Sequence, residues 1–212
     1  MKVLAINGSP HESGNTRHAL NVVGKELTDS GIEFEVLHIG NKMIRGCAAC
    51  SSCGKNRDEK CVLTGDDLNR WVQRAKEADG ILLGSPVYFA GIPGTMKSFL
   101  DRLFYVSSSN GGLFRQKVGA ALVALRRSGG SSTFDTLNHY LHYSEMVIAG
   151  SNYWNIIHGR VPGEAALDAE GNQTLRVLGR NMAWLLQMKD ATAGSVAVPV
   201  QEKKEATNFI RP

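Results

Sequence analysis

The chain has 212 residues, 42% of them hydrophobic and 21% charged, with a formal net charge of +4. These are the values of an ordinary folded domain with a full-sized core. No stretch approaches the roughly 18 unbroken apolar residues of a membrane helix. Positive charge is scattered, with no basic stripe interleaved with aromatics, so neither a membrane nor a nucleic acid is the expected partner.

In chain order the pattern alternates strand and helix. Residues 2–7 form an apolar strand that meets Asn7-Gly8 too early for a signal-peptide core, so the expected compartment is the cytoplasm. Asn15 or Thr16 opens a helix in which Leu20, Val23 and Leu27 recur at helical spacing and which Gly31 ends. Residues 33–39 form a second strand, and a cysteine segment follows. Asp66 or Asp67 caps a helix running to about Ala78. Residues 80–84 and 118–125 are short apolar runs typical of buried parallel strands. Between them Met96, Phe99, Leu100, Leu103 and Phe104 line one helix face behind Pro93. A helix over 131–144, a last strand over 146–150 and a helix over 173–188 complete the series. Five strands alternating with helices imply an α/β, doubly wound parallel sheet with helices on both faces and a ligand crevice at the carboxyl ends of the strands. The division is one domain over 1–190, with residues 47–61 inserted after strand 2, and a polar tail over 191–212.

Three loops leave strands at that edge. Residues 7–16 run from a strand into a helix N-terminus. There Gly8 and Gly14 allow close backbone approach, and Ser9, Ser13, Asn15 and Thr16 offer neutral donors to an anion. The loop is neither a dinucleotide fingerprint nor a triphosphate loop and has no lysine, so a terminal monophosphate fits best. Residues 84–93 hold the aromatic pair Tyr88-Phe89 between Pro86-Val87 and Gly91, suited to covering a planar ring. Residues 126–132 are polar and glycine-rich. Three loops converging on one crevice make a stronger case than any one alone.

Gly8-Ser9-Pro10 leading to Asn15-Thr16, the stretch Ser85-Pro86-Val87-Tyr88, and the helix from Lys97 to Arg102 resemble the NADPH-dependent FMN reductase family of flavodoxin-like proteins. The resemblance spans about residues 1–190. It implies FMN with its phosphate at Ser9, Ser13, Asn15 and Thr16. The isoalloxazine would lie near Pro86, Val87, Tyr88, Phe89 and Gly91, with Ser128, Gly129, Gly130 and Ser131 closing one side. The family often carries Arg after Ser-Pro, where this chain has His11; that histidine either donates to the phosphate or faces solvent.

All four cysteines lie between 47 and 61, as Cys47-x2-Cys50-x2-Cys53-x7-Cys61. So tight a cluster points to metal or redox chemistry rather than to disulfides. The segment is most similar to the iron–sulfur flavoprotein branch of the family, which implies a 4Fe–4S cluster exchanging electrons with FMN. Reduced free thiols and a structural zinc are the other readings of the same four residues.

The function implied is an FMN-dependent oxidoreductase. NADH or NADPH gives hydride to the flavin, Arg126 or Arg127 meets the nucleotide's phosphates, and electrons pass to a small acceptor such as a quinone, a nitro or azo compound, a metal or a flavin. No acid–base residue is required. The alternatives are an iron–sulfur flavoprotein acting as an electron carrier reduced by ferredoxin, and a binding module without flavin. A homodimer or homotetramer is expected, with Tyr153, Trp154 and Asn155 in the long connection 151–171, and Asn208, Phe209, Ile210 and Arg211, as candidate contacts. Lys97 and Asp101 read as an i,i+4 ion pair, and His139 and His142 as surface residues.

Overall fold

A computed structural model describes residues 1–207 together with Phe209 and Ile210. Its sheet is built from β1 (Lys2–Asn7), β2 (Glu33–His38), β3 (Gly80–Pro86), β4 (Val118–Leu125), β5 (Val147–Ile148) and β6 (Ile156–His158). The order is β2-β1-β3-β4-β5, with β6 also pairing with β4, and every pairing is parallel. The helices are α1 (Asn15–Asp29), α2 (Ser52–Asn56), α3 (Leu68–Glu77), α4 (Gly94–Ser109), α5 (Gly130–Tyr143) and α6 (Ala169–Ala191).

Strand side chains alternate between faces, so a central strand must be apolar throughout when helices cover both sides. In β1, Val3 and Ala5 face α1 and α6, beside Leu20, Val23, Leu178 and Met182. Leu4 and Ile6 face α3, α4 and α5, beside Trp71, Phe99, Leu103 and Leu137. Trp71 meets Phe99 edge-to-face at 5.7 Å. Each large apolar side chain buried this way contributes about 1.5–3 kcal/mol.

Because the sheet is parallel, β1, β3, β4 and β6 all end at one edge. The connections from β1 and β3 diverge there, which opens the crevice such folds use for ligands.

The structure corrects the expected last strand. Only Val147–Ile148 pair within residues 146–150, and Ile156–His158 resume pairing with β4 further along. Asn155 fills the gap: its Nδ2 donates to the Ala121 carbonyl, and its own carbonyl accepts from the Val123 N–H, both at 2.9 Å. The connection 151–171 therefore contains a strand and a 3-10 turn (Glu164–Leu167). The final helix starts earlier than expected, at Ala169, because Asp168 caps it by accepting from the Gly171 N–H at 2.9 Å. Among the described residues no helix is long and apolar enough to cross a membrane.

Candidate functional site: three loops and a cysteine cavity

Residues 8–16 are held as a rigid shelf. The Gly8 N–H donates to the Gly84 carbonyl at 2.9 Å, and the Ser9 N–H to Asn7 Oδ1 at 3.1 Å. The His11 N–H donates to Ser9 Oγ at 3.1 Å. His38, at the end of β2, donates from Nε2 to the Ser9 carbonyl at 2.8 Å. Gly40 passes so close beneath the loop that a Cβ there would lie 2.0 Å from the Ser9 carbonyl oxygen.

Helix α1 begins behind Gly14, which offers no side-chain cap, and its first turn carries no acidic residue. Its first N–H groups therefore stand uncapped at the positive end of the helix dipole. Ser9 and Thr16 are buried, and Ser13 and His11 are exposed. The Asn15 amide has partners of its own: its Nδ2 donates to the Val161 carbonyl at 3.0 Å, and its Oδ1 accepts from the Ala165 N–H at 3.2 Å. Its amide side chain ties the shelf to the connection 151–171.

Residues 86–91 form a two-residue turn. Tyr88 and Gly91 exchange main-chain hydrogen bonds at 2.8 and 3.0 Å across Phe89 and Ala90. Phe89 (φ 51°) and Ala90 (φ 58°) both adopt the left-handed conformation, which is costly for a bulky residue. The Phe89 ring packs against nothing and is fully exposed, and Tyr88 is exposed beside it. Loop 126–132 is latched to this turn. Ser132 Oγ donates to the Ala90 carbonyl at 2.7 Å. Gly129 (φ 86°) comes so near that a Cβ would lie 2.8 Å from Ala90 Cα. Ser128 and Arg126 are exposed. Arg127, Ser128, Gly129 and Gly130 line a cavity of about 680 Å3 shared with Tyr153, Trp154 and His158.

The four cysteines lie away from these loops, against α4. Cys53 is buried, Cys61 half-buried, and Cys47 and Cys50 exposed. All four line one small cavity, closed on its far side by Arg102, Tyr105 and Val106 of α4. The backbone around them is tightly coiled: Ala49, Ser51, Arg57 and Glu59 all have positive φ. Of the eight such non-glycine residues in the described chain, these four and the two of the aromatic turn account for six. A hydrogen bond from Ser52 lowers the Cys50 thiol below its ordinary value. Asn69 clamps Cys61 by accepting from its N–H at 2.8 Å and donating to its carbonyl at 2.9 Å.

Arg102 is a residue the sequence reading missed. It is 1% exposed and paired with Asp66. It donates from Nη1 to the Arg45 carbonyl at 3.1 Å and from Nη2 to the Leu63 carbonyl at 2.9 Å, which ties both ends of the cysteine segment to α4. Burial opposes its charge, but the hydrogen bond to Asp66 and the neighbouring Cys61 more than offset that and raise its pKa. The available signal was a charge on a helix face otherwise made of Phe99, Leu103 and Val106.

Among the described residues no group of three or more His, Cys, Asp or Glu could hold a single metal ion. Four thiols around one cavity form a donor set of the soft kind that iron–sulfur and zinc sites both use. The cavity also holds a buried donor without a well-aligned partner, Arg102 Nε, which suits an anionic occupant.

Other expected features fall as follows. Lys97 pairs with Asp101 at 2.5 Å. His139 lies on the surface of α5 together with His142. Tyr153 and Trp154 stack edge-to-face at 4.5 Å and are exposed. Asn155 is structural, as described above. Phe209 and Ile210 are exposed, and Asn208 and Arg211 lie outside the described residues.

A parallel sheet of this order with three loops at its switch point is a flavodoxin-like fold. A solved flavodoxin from the domain Archaea matches 88% of the chain and 99% of its own length (TM-score 0.58, 16% identity). RosB with bound 8-demethyl-8-formylriboflavin-5′-phosphate matches 100% of the chain and 95% of its own length (TM-score 0.70, 16% identity). The model of the NADPH-dependent FMN reductase family matches residues 1–160. An iron–sulfur flavoprotein of Methanocaldococcus jannaschii is 34% identical over 89% of this chain and 98% of its own. The chain belongs to the NADPH-dependent FMN reductase family, on the side of the iron–sulfur flavoproteins.

Proposed function

We propose that the chain is a two-centre redox protein, with FMN in the three-loop crevice and a 4Fe–4S cluster on Cys47, Cys50, Cys53 and Cys61. The observation that carries this reading is the common cavity of the four cysteines, set against the same helix that the aromatic turn leads into. From Gly94 to Arg102 along α4 is about 12 Å at 1.5 Å per residue. The two sites are thus joined by one rigid element.

The proposed roles follow the atoms left free. The hydroxyls of Ser9, Ser13 and Thr16 and the first N–H groups of α1 receive the phosphate, with Asn15 contributing its main-chain N–H. His11, exposed at the rim, adds a pH-dependent donor. The strained turn of Pro86, Val87, Tyr88, Phe89 and Gly91 presents its aromatics and main-chain groups to the ring. Ser128, Gly129 and Gly130 form the third wall. When bound, FMN supplies two-electron and one-electron chemistry and the cluster one-electron chemistry; the chain orients both and keeps the flavin edge accessible. Residues 1–190 form the binding domain and 191–212 a tail, and a second copy of the chain completes the flavin wall.

Two electron donors fit. A one-electron protein donor of the ferredoxin kind would enter at the exposed Cys47 and Cys50. NADPH or NADH, as the family's name suggests, would deliver hydride at the flavin, with Arg127 beside the open cavity meeting its phosphates. Small acceptors would use the same open face. The test is anaerobic reduction of the FMN-loaded protein by each donor in turn, in the native chain and in Cys53→Ala. Loss of reduction by the one-electron donor in the variant, with FMN retained, supports relay through the cysteines. Equal flavin reduction by that donor in both proteins counts against it.

A further inference from the structure

Arg102 has more polar capacity than its visible partners use. Its Nη1 and Nη2 are taken by Asp66 and the carbonyls of residues 45 and 63. Its Nε is buried and makes no well-aligned hydrogen bond within the chain, although the Cys61 thiol lies against the guanidinium. A tie between α4 and the cysteine segment would need only the two terminal nitrogens. Leaving a third buried N–H unpaired costs stability unless something receives it. The guanidinium lines the cavity that the four cysteines share, and Cys61 is beside it. Four thiolates with a cluster carry net negative charge, and a buried cation held by Asp66 at their wall is placed to offset it. The Asp66 side chain is 6% exposed and serves two purposes: its Oδ2 holds the guanidinium, and its Oδ1 accepts from the Leu68 N–H at the start of α3.

We propose that Arg102 is a positioning and tuning residue of the cysteine site, donating its free Nε–H to a sulfur of the bound cluster and setting the cluster's potential with its charge. This rests on the cluster reading above. A donor and a positive charge at the sulfurs stabilise the reduced, more negative state, so the arginine raises the midpoint potential.

The experiment compares the anaerobically purified native protein with Arg102→Lys and Arg102→Gln. Iron per chain and the midpoint potentials of cluster and flavin are measured for each. The expected result is a cluster potential shifted negative in Arg102→Gln, a smaller shift in Arg102→Lys, and an unchanged flavin potential. A purely structural tie would alter iron retention or melting temperature but leave the potential of the remaining cluster in place. An unchanged cluster potential in an iron-loaded Arg102→Gln protein overturns the proposal. Because that variant removes a buried ion-pair partner and can misfold, a second measurement uses the native protein grown with guanidino-15N-arginine. Nitrogen hyperfine coupling to the reduced cluster is expected, and its absence overturns the proposal. Native protein without iron defeats the cluster reading instead, so the two failures are distinguishable.

Discussion

His38 Nε2 donates to the main-chain carbonyl of Ser9 at 2.8 Å, and this bond joins the end of β2 to the loop after β1. A carbonyl only accepts, so Nε2 carries the proton. His38→Ala removes this bond and the longer contact of Nδ1 with Glu12 at 3.9 Å. The expected effect is about 1 kcal/mol, or roughly fivefold weaker FMN binding, measured by fluorescence titration of the flavin-free protein. Unchanged affinity would mean the shelf does not depend on β2.

Gly40 makes a sharper demand on the same loop. A Cβ 2.0 Å from the Ser9 oxygen cannot be accommodated without moving main chain. Gly40→Ala is expected to lose about 2–3 kcal/mol of stability and to weaken FMN binding more than His38→Ala does. Thermal melting with and without FMN checks both, and a melting temperature equal to the parent's would refute the close approach.

Phe89 reports on the crevice without reporting on the core. Its ring is fully exposed, so Phe89→Ala is expected to change stability by less than about 0.5 kcal/mol. The same substitution is expected to weaken FMN binding and shift the flavin's visible bands. A variant that melts earlier but binds FMN normally would show the ring to be structural.

Tyr140 links α5 to α4 by donating its hydroxyl to Asp101 at 2.5 Å. Burial, reinforced by that bond to Asp101, pushes its phenol up to about 12. The raised folded-state value gives stability that is fully present below the ordinary tyrosine value near 10 and is lost as pH rises toward 12. Tyr140→Phe is expected to flatten that alkaline limb and to cost about 1 kcal/mol at neutral pH, where the bond to Asp101 is lost. Denaturant titrations between pH 8 and pH 11 test this, and an alkaline limb of the same slope in both proteins contradicts it.

Most of the fold could be read from hydrophobic pattern. Runs such as 80–84 and 118–125 are apolar on every residue because helices cover both sheet faces, and that pattern survives without knowledge of contacts. The fifth strand was misread because its second half depends on Asn155, a polar residue replacing main-chain pairing, and no periodicity encodes that substitution. The loops were legible from glycines, prolines and their place after strands. Their supports were not: His38, Asp66 and Arg102 act over 29 and 36 residues of separation, and only the assembled sheet brings them into reach. The partners of the Asn15 amide were hidden for the same reason, since Val161 and Ala165 meet it from 146 and 150 residues away.

The proposed arrangement is an iron–sulfur cluster on the four cysteines beside a flavin-binding crevice. The most direct measurement is metal, sulfide and flavin analysis of anaerobically purified protein together with its visible spectrum. The expected result is about four irons and four sulfides per chain with FMN bound, and loss of iron with retention of FMN in Cys53→Ala. Flavin bands with no iron and four titratable thiols, or one zinc per chain, would contradict it.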